Sequence, residues 1–439
     1  MIRQDTFVIV AKVKPACVAA LREKLTTMTL TGKPGMADPK NALVPFGNYG
    51  NIHFARFVVL EENASKDRAA FDLPVSDLPI YLCFMADCDG SADELLARMA
   101  RGLPGLKEIF NHCEGFDPQG DMLAWLKART VKPSAHYVNW VGRSVNQIGE
   151  EACLQRHLRA ALPGIKSTDP QDIFTDLKLL AKSCTLTTAP PTPLARRIDN
   201  WLHFLFPLAL AMAGLILFLI CLILHPVITI VLLCGVALAF VILLRRHEQT
   251  DPVVCEPYEA SHVKELRRGE DHDVTNQYTA MGSLKPGRFR LRTETVILYG
   301  INWVARHICT RGAIGRIGTI HFAHWLVIEN GGRGFFCSNY DGGHEAYMDD
   351  FINKAGFGLN LSFSSSIGYP VTNWLLARGA WLEQDFKRFQ RHHQIPTDVW
   401  YKAYPGLTAR DLARNSRIRN GFEKTAMSDD EIRRWLAEI

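Results

Sequence analysis

Gly50-Asn51-Ile52-His53-Phe54-Ala55-Arg56-Phe57-Val58-Val59-Leu60-Glu61 returns later in the same chain as Gly318-Thr319-Ile320-His321-Phe322-Ala323-His324-Trp325-Leu326-Val327-Ile328-Glu329. Both stretches keep Ile-His-Phe-Ala intact and run on through apolar residues to a glutamate. Their density of β-branched and aromatic residues predicts a β-strand in each. Residues two apart in a strand share a face. His53, Ala55 and Phe57 therefore oppose Phe54, Arg56 and Val58, and His321, Ala323 and Trp325 oppose Phe322, His324 and Leu326. If the histidine faces turn inward, His53 and His321 approach each other.

Further matches flank this one in the same order. Phe7–Pro15 aligns with Tyr278–Pro286, and Tyr81–Gly90 with Gly334–Gly342, each of the latter followed by a helical pattern (Ser91–Leu103, Gly343–Ala355). Tyr137-VNWVGR aligns with Asn373-WLLARG. A Lys-Pro step ends the first strand of each copy, because proline lacks an N–H and restricts the residue before it. Asn330-Gly331-Gly332 predicts a tight hairpin in the second copy. The order strand, helix, strand, strand, helix, strand is the ferredoxin-like βαββαβ unit. The predicted class is α+β: two such repeats packed sheet against sheet as a pseudo-symmetric α+β barrel.

Between the copies lies Trp201–Leu244, 44 positions without Asp, Glu, Lys or Arg. About 20 apolar residues cross a bilayer, so this is a transmembrane helical hairpin turning at His225-Pro226. Arg196-Arg197 and Arg245-Arg246-His247 flank it, and basic flanks stay on the cytoplasmic side. Both soluble halves and both termini are thus expected to be cytoplasmic, on a bacterial inner membrane, with the bilayer as partner. The opening Met1–Asp5 and the short run Phe7–Val13, broken by Lys12, are a poor signal peptide. Eleven scattered cysteines, odd in number and without a CxxC pair, fit reduced thiols. A net charge of +5 carries no nucleic-acid footprint. The chain divides into a first repeat (1–165), a linker (166–197), the hairpin (198–247), an acidic juxtamembrane segment (248–275), a second repeat (276–400) and a basic tail (401–439).

The tandem order resembles the dimeric α+β barrel superfamily, which includes chlorite dismutases and dye-decolourising haem peroxidases. HFA-x-[FW] and NYDG are also similar to segments of membrane-anchored bacterial proteins of unsettled function. The peroxidase GxxDG motif falls on Ala86–Gly90 and Ser338–Gly342, with its first glycine replaced by Ala86 and Ser338. The resemblance implies a peroxidase-like oxidoreductase holding haem or another hydrophobic small molecule. His321 or His53 would be the axial ligand, Asp341 would act on peroxide and Arg56 would be the cation. Asn339 and Tyr340 would contact the cofactor.

Each residue also has a plainer role. The histidines can hydrogen-bond across the sheet, and Asp89 and Asp341 can cap a helix while Gly supplies a positive φ. Glu270-Asp271-His272-Asp273 lacks metal-site spacing, and no metal site is expected. His392-His393 ends a helix before Ile395-Pro396, where the dipole favours it without a ligand. Arg410–Arg419 reads as a solvated basic face. Thr295–Ile308 is apolar enough to pack in the core or to rest in the plane of a bilayer, where the barrel would open to lipid-soluble molecules. The alternative function is a non-enzymatic membrane-associated scaffold or lipid-binding module.

Overall fold

A computed structural model of the chain describes residues 4–62, 65–76, 78–182, 184, 186–187, 191–254, 257–424 and 426–439; Met1–Arg3 lie outside it. In chain order the N-terminal half holds β1 (Gln4–Lys12), α1 (Val18–Thr26), β2 (Ile52–Leu60), α2 (Ser65–Ala69), β3 (Tyr81–Asp89), α3 (Ala92–Gly102), α4 (Pro104–Phe110), α5 (Met122–Lys127), β4 (Ala135–Val138), α6 (Val145–Ala161) and α7 (Pro170–Ala181). Two long helices follow, α8 (Leu194–Leu224) and α9 (Pro226–Thr250). The C-terminal half holds α10 (Ala260–Arg268), β5 (Thr275–Ser283), α11 (Arg288–His307), β6 (Ile320–Ile328), β7 (Arg333–Asp341), α12 (His344–Phe363), β8 (Thr372–Asn373), β9 (Ala377–Arg378), α13 (Glu383–His393), β10 (Val399–Lys402), α14 (Ala409–Glu423) and α15 (Asp429–Leu436).

The class is mixed α+β. One antiparallel sheet runs β1-β3-β2-β10 and the other β5-β7-β6-β4. A self-contained βαββαβ unit pairs its fourth strand with its first; here β4 pairs with β6 and β10 with β2, each in the opposite sheet. Proline explains the departure. Residues 129–131 do run beside β1, through Val10 N–H to Arg129 O and Val131 N–H to Val8 O. Pro133 then interrupts the ladder, and Ser134 N–H bonds Trp325 O in the second sheet. Ile395 N–H likewise bonds Thr279 O beside β5. The chain then passes Pro396 and enters the first sheet as β10. Each bent segment thus runs from an edge of one sheet to an edge of the other.

The segment Asn373-WLLARG is not a fourth strand. Trp374 and Leu375 both take φ near 60°, turning the chain between the short strands β8 and β9. Glu248 holds that turn by accepting the N–H groups of Trp374 (3.0 Å) and Leu375 (2.8 Å). Residues 166–197 carry α7, and the arginines of 410–419 lie on α14, whose Leu412 and Ile418 are buried.

Helices cover the outer faces of the sheets. Leu21, Leu25, Leu95, Leu96, Leu106 and Ile109 pack on Ile9, Ala55, Phe57 and Phe84 of the first sheet, with Phe57 and Phe84 stacked at 4.2 Å. Tyr347, Phe351 and Phe386 pack on Ala323, Phe336 and Tyr340 of the second. Between the sheets, Val8, Val58, Cys83 and Met85 meet Met281, Leu326, Phe335 and Cys337. Each such large side chain contributes about 1.5–3 kcal/mol when withdrawn from water.

The helices α8 and α9 have 31 and 25 residues, about 46 and 38 Å at 1.5 Å per residue. Both are long and apolar enough to cross a membrane. Pro226 opens α9 at the position where a missing N–H has no partner to lose. The base of the hairpin grips α11 at both ends. Phe204 stacks on Trp303 at 5.5 Å and Arg306 pairs with Asp199 at 2.6 Å, while Phe240 and His247 pack on Phe289.

Candidate metal centre between the sheets

The approach of His53 and His321 expected from strand alternation requires their faces to turn inward. The face turned toward the other sheet is instead that of Phe54, Arg56 and Val58, and of Phe322, His324 and Leu326. A register shift in each strand, between Ile52 and Phe54 and between Ile320 and Phe322, breaks the alternation at the histidine. That irregularity carries His53 and His321 to the end of the interface. There they flank Tyr404, with His53 against Phe322 at 5.3 Å and His321 against Phe54 at 5.5 Å.

Both histidines are held by the aspartates that follow in sequence. His53 Nε2 lies 3.0 Å from Asp89 Oδ1, and His321 Nε2 lies 2.7 Å from Asp341 Oδ1. The second carboxylate oxygens accept N–H groups where α6 and α14 begin, Val145 N for Asp89 and Ala409 N for Asp341. Each aspartate thus ties a strand end to a distant helix rather than to the helix that follows it. Burial pushes the Asp341 carboxyl up. The His321 charge and hydrogen bonds from His321, Ala409 N–H and Thr275 outweigh that and hold it below its ordinary value.

These residues do not fit a haem. The free volume beside His53, His321 and Tyr404 is about 20 Å³, room for about one water and far too little for a macrocycle. The ring nitrogens that would ligate iron face Asp89 and Asp341. Tyr340 points to the outer side, stacked on Tyr347 at 3.8 Å under α12. Arg56 and Asn339 are brought together, but as a structural bond. Arg56 donates to Tyr278 O (2.9 Å), Thr279 Oγ1 (2.9 Å), Ser338 O (3.0 Å) and Asn339 Oδ1 (2.5 Å), and Trp400 Nε1 donates to the same Asn339 oxygen at 2.9 Å. The acidic run 270–273 is also engaged: Glu270 accepts from Arg391 at 2.6 Å and Asp273 from Lys402 at 2.8 Å.

The matching level on the other side of the interface is built differently. Arg56 pairs in register with Trp400, and His324 with His136. Asp87 sits opposite Phe54 as Asn339 sits opposite Phe322. So Arg56, Trp400 and Asn339 correspond to His324, His136 and Asp87. Asp87 Oδ1 lies 2.9 Å from His324 Nε2 and 3.7 Å from His136 Nε2. The two imidazoles stack at 4.4 Å. Asp87 and His324 are 2% and 1% exposed. Yet Asp87 Oδ1 and both ring nitrogens of His324 lack a hydrogen-bond partner. The three side chains form one of two groups among the described residues that could hold a metal ion. Sequence reasoning passed over His324 because unbroken alternation turned it outward, and over His136 and Asp87 because their meeting depends on the crossed fourth strand.

His136 also borders a wide cavity of about 760 Å³, lined in part by Gln4, Thr6, Arg196, Asn302 and Arg306, at the base of α8. No family model, curated protein or solved structure matches the chain.

Proposed function

We propose that the chain is a membrane-anchored metal protein, in which Asp87, His136 and His324 bind one divalent first-row transition-metal ion between the sheets. The observation that carries this reading is the pair Asp87 and His324, buried, 2.9 Å apart and unsatisfied. Leaving such groups unpaired costs about 1–3 kcal/mol each, and a cation between them removes that cost. Two imidazoles and one carboxylate are the set that holds non-haem Fe(II) with coordination positions left open, and Zn(II) accepts the same donors. The cavity beside His136 is the route for the ion and for a small polar ligand. An oxidoreductase using Fe(II) is therefore the leading reading.

The shared strand order and matched registers of the sheets support a duplicated unit closed into a barrel by the crossed fourth strands. The basic flanks of the hairpin support a cytoplasmic position for the whole body. A scaffold or lipid-binding reading has its own observation: Val296 of α11 and Ile308 just after it, with Trp374 and Leu376 on the β8–β9 turn, are exposed near the base of the hairpin.

The test is elemental analysis of the full chain purified anaerobically in mild detergent, with His324→Ala and Asp87→Asn beside it. Bound Fe or Zn in the parent that falls by one equivalent in both variants supports the reading. A parent that carries no transition metal and takes up neither Fe(II) nor Zn(II) on titration overturns it.

A further inference from the structure

We infer that Asp67, His392 and His393 form a second divalent transition-metal site, independent of the one between the sheets, that fastens the β2–β3 connection to the end of α13.

The two halves connect their second and third strands very differently. In the C-terminal half Glu329–Gly331 makes one tight turn. In the N-terminal half the described residues between β2 and β3 include α2, and Glu62 and Arg68 reach across to β5. Glu62 accepts the Ser283 hydroxyl at 2.6 Å, and Arg68 donates to the same hydroxyl. This places Asp67, from the first half of the chain, against adjacent histidines of the second half.

His393 Nδ1 lies 2.9 Å from Phe389 O. A carbonyl only accepts, so Nδ1 carries the proton and Nε2 of the neutral ring is a lone pair. That lone pair faces Asp67 Oδ2 at 3.4 Å, and His392 Nε2 faces the same oxygen at 3.3 Å. A protonated histidine would close on a carboxylate to about 2.7–2.9 Å, and neither contact does so. Both Asp67 oxygens and both Nε2 atoms lack hydrogen-bond partners, although Asp67 is 1% and His393 6% exposed. Donors about 2.0–2.2 Å from a tetrahedral ion stand roughly 3.3–3.5 Å apart, the spacing of both histidines from Asp67 Oδ2. The Phe389 carbonyl orients the ring of His393 as the outer partner of a metal-bound histidine does.

Two features prepare the place for a cation. The histidines occupy the last turn of α13, where the unpaired carbonyls carry partial negative charge. Gly368 keeps the site clear: a Cβ there would sit 3.1 Å from His393 Cε1 and 3.3 Å from Asp67 Oδ2. Three protein donors leave one position for water.

The experiment strips the full chain in detergent with a chelator, then titrates it with Co(II), whose visible bands report tetrahedral nitrogen and oxygen coordination. The parent is expected to bind two ions, and Asp67→Asn and His393→Ala one each. Gly368→Ala keeps every ligand and is expected to weaken one site about tenfold. Residues 61–80 should resist protease in the loaded parent and become cleavable in the stripped one. Undiminished stoichiometry in Asp67→Asn and His393→Ala overturns the second site. Loss of an ion in His324→Ala alone would leave the inter-sheet site standing without this one. If either variant of this site fails to fold, Gly368→Ala decides: an unchanged affinity for both ions counts against the site.

Discussion

Arg56, Asn339 and Trp400 occupy one level of the interface between the sheets, and His324, Asp87 and His136 occupy the matching level across it. The first group is complete within the protein: the guanidinium makes four hydrogen bonds and the Asn339 oxygen takes two donors. In the second, a carboxylate oxygen and two ring nitrogens are buried with nothing to bond. Buried polar groups are nearly always paired, so two sites of the same construction have reached opposite solutions. One is a fixed cross-link of side chains. The other leaves its donors unpaired, the feature on which the proposed ion site rests.

The largest effect should come from breaking the complete side. Arg56→Ala removes four hydrogen bonds that join the first sheet to the second and should cost roughly 3–5 kcal/mol. The loss, followed by chemical unfolding in detergent, should be the same with and without chelator. On the other side the stability should depend on the ion. A ligand at a hundredfold excess over its Kd adds about 2.7 kcal/mol, so chelator should lower the unfolding midpoint of Asp67→Asn, which keeps only the inter-sheet site, and leave that of Asp67→Asn/His324→Ala almost unmoved. Exchanging one solution for the other sharpens the contrast: Asp87→Asn, His136→Trp and His324→Arg together should abolish ion binding between the sheets and make stability there indifferent to chelator.

A smaller effect is expected where the histidine–aspartate pairs end the interface. Asp341 is held below its ordinary pKa, so its contribution is fully present above the unfolded value, near 3.9. It is lost as pH falls through the lower folded value. Asp341→Asn should therefore cost about 1–3 kcal/mol at neutral pH, and the gap from the parent should shrink in acid. The smallest effect is predicted for Tyr340→Phe. The hydroxyl it removes is buried without a partner, so stability should hold or rise by up to about 1 kcal/mol, with metal content unchanged.

Much of this arrangement is written locally. A run of 44 residues without a charge specifies two long apolar helices wherever it occurs. The strands β2, β3, β6 and β7 announce themselves by composition, because each is nine residues long and apolar throughout much of its length. The strands β4 and β10 do not, since four residues after a proline carry little pattern. Pro133 and Pro396 are visible, but their effect, passing the chain to the other sheet, depends on which edge lies open in space. The site was misread for a related reason. His321 was singled out and His324 was not, because the register shift at His321 leaves no mark in the sequence. His392-His393 looked complete as a helix ending. Its partner Asp67 sits in a polar connection more than half the chain away, with nothing local to distinguish it.

The central claim is most directly tested by X-ray absorption at the metal edge of the Asp67→Asn chain loaded with one equivalent of Zn(II), where only the inter-sheet site remains. The predicted spectrum has a first shell of nitrogen and oxygen at about 2.0–2.1 Å with outer-shell scattering from two imidazoles, and it loses the imidazole signal in Asp67→Asn/His324→Ala. A spectrum of hydrated ion, the same in both chains, would contradict it.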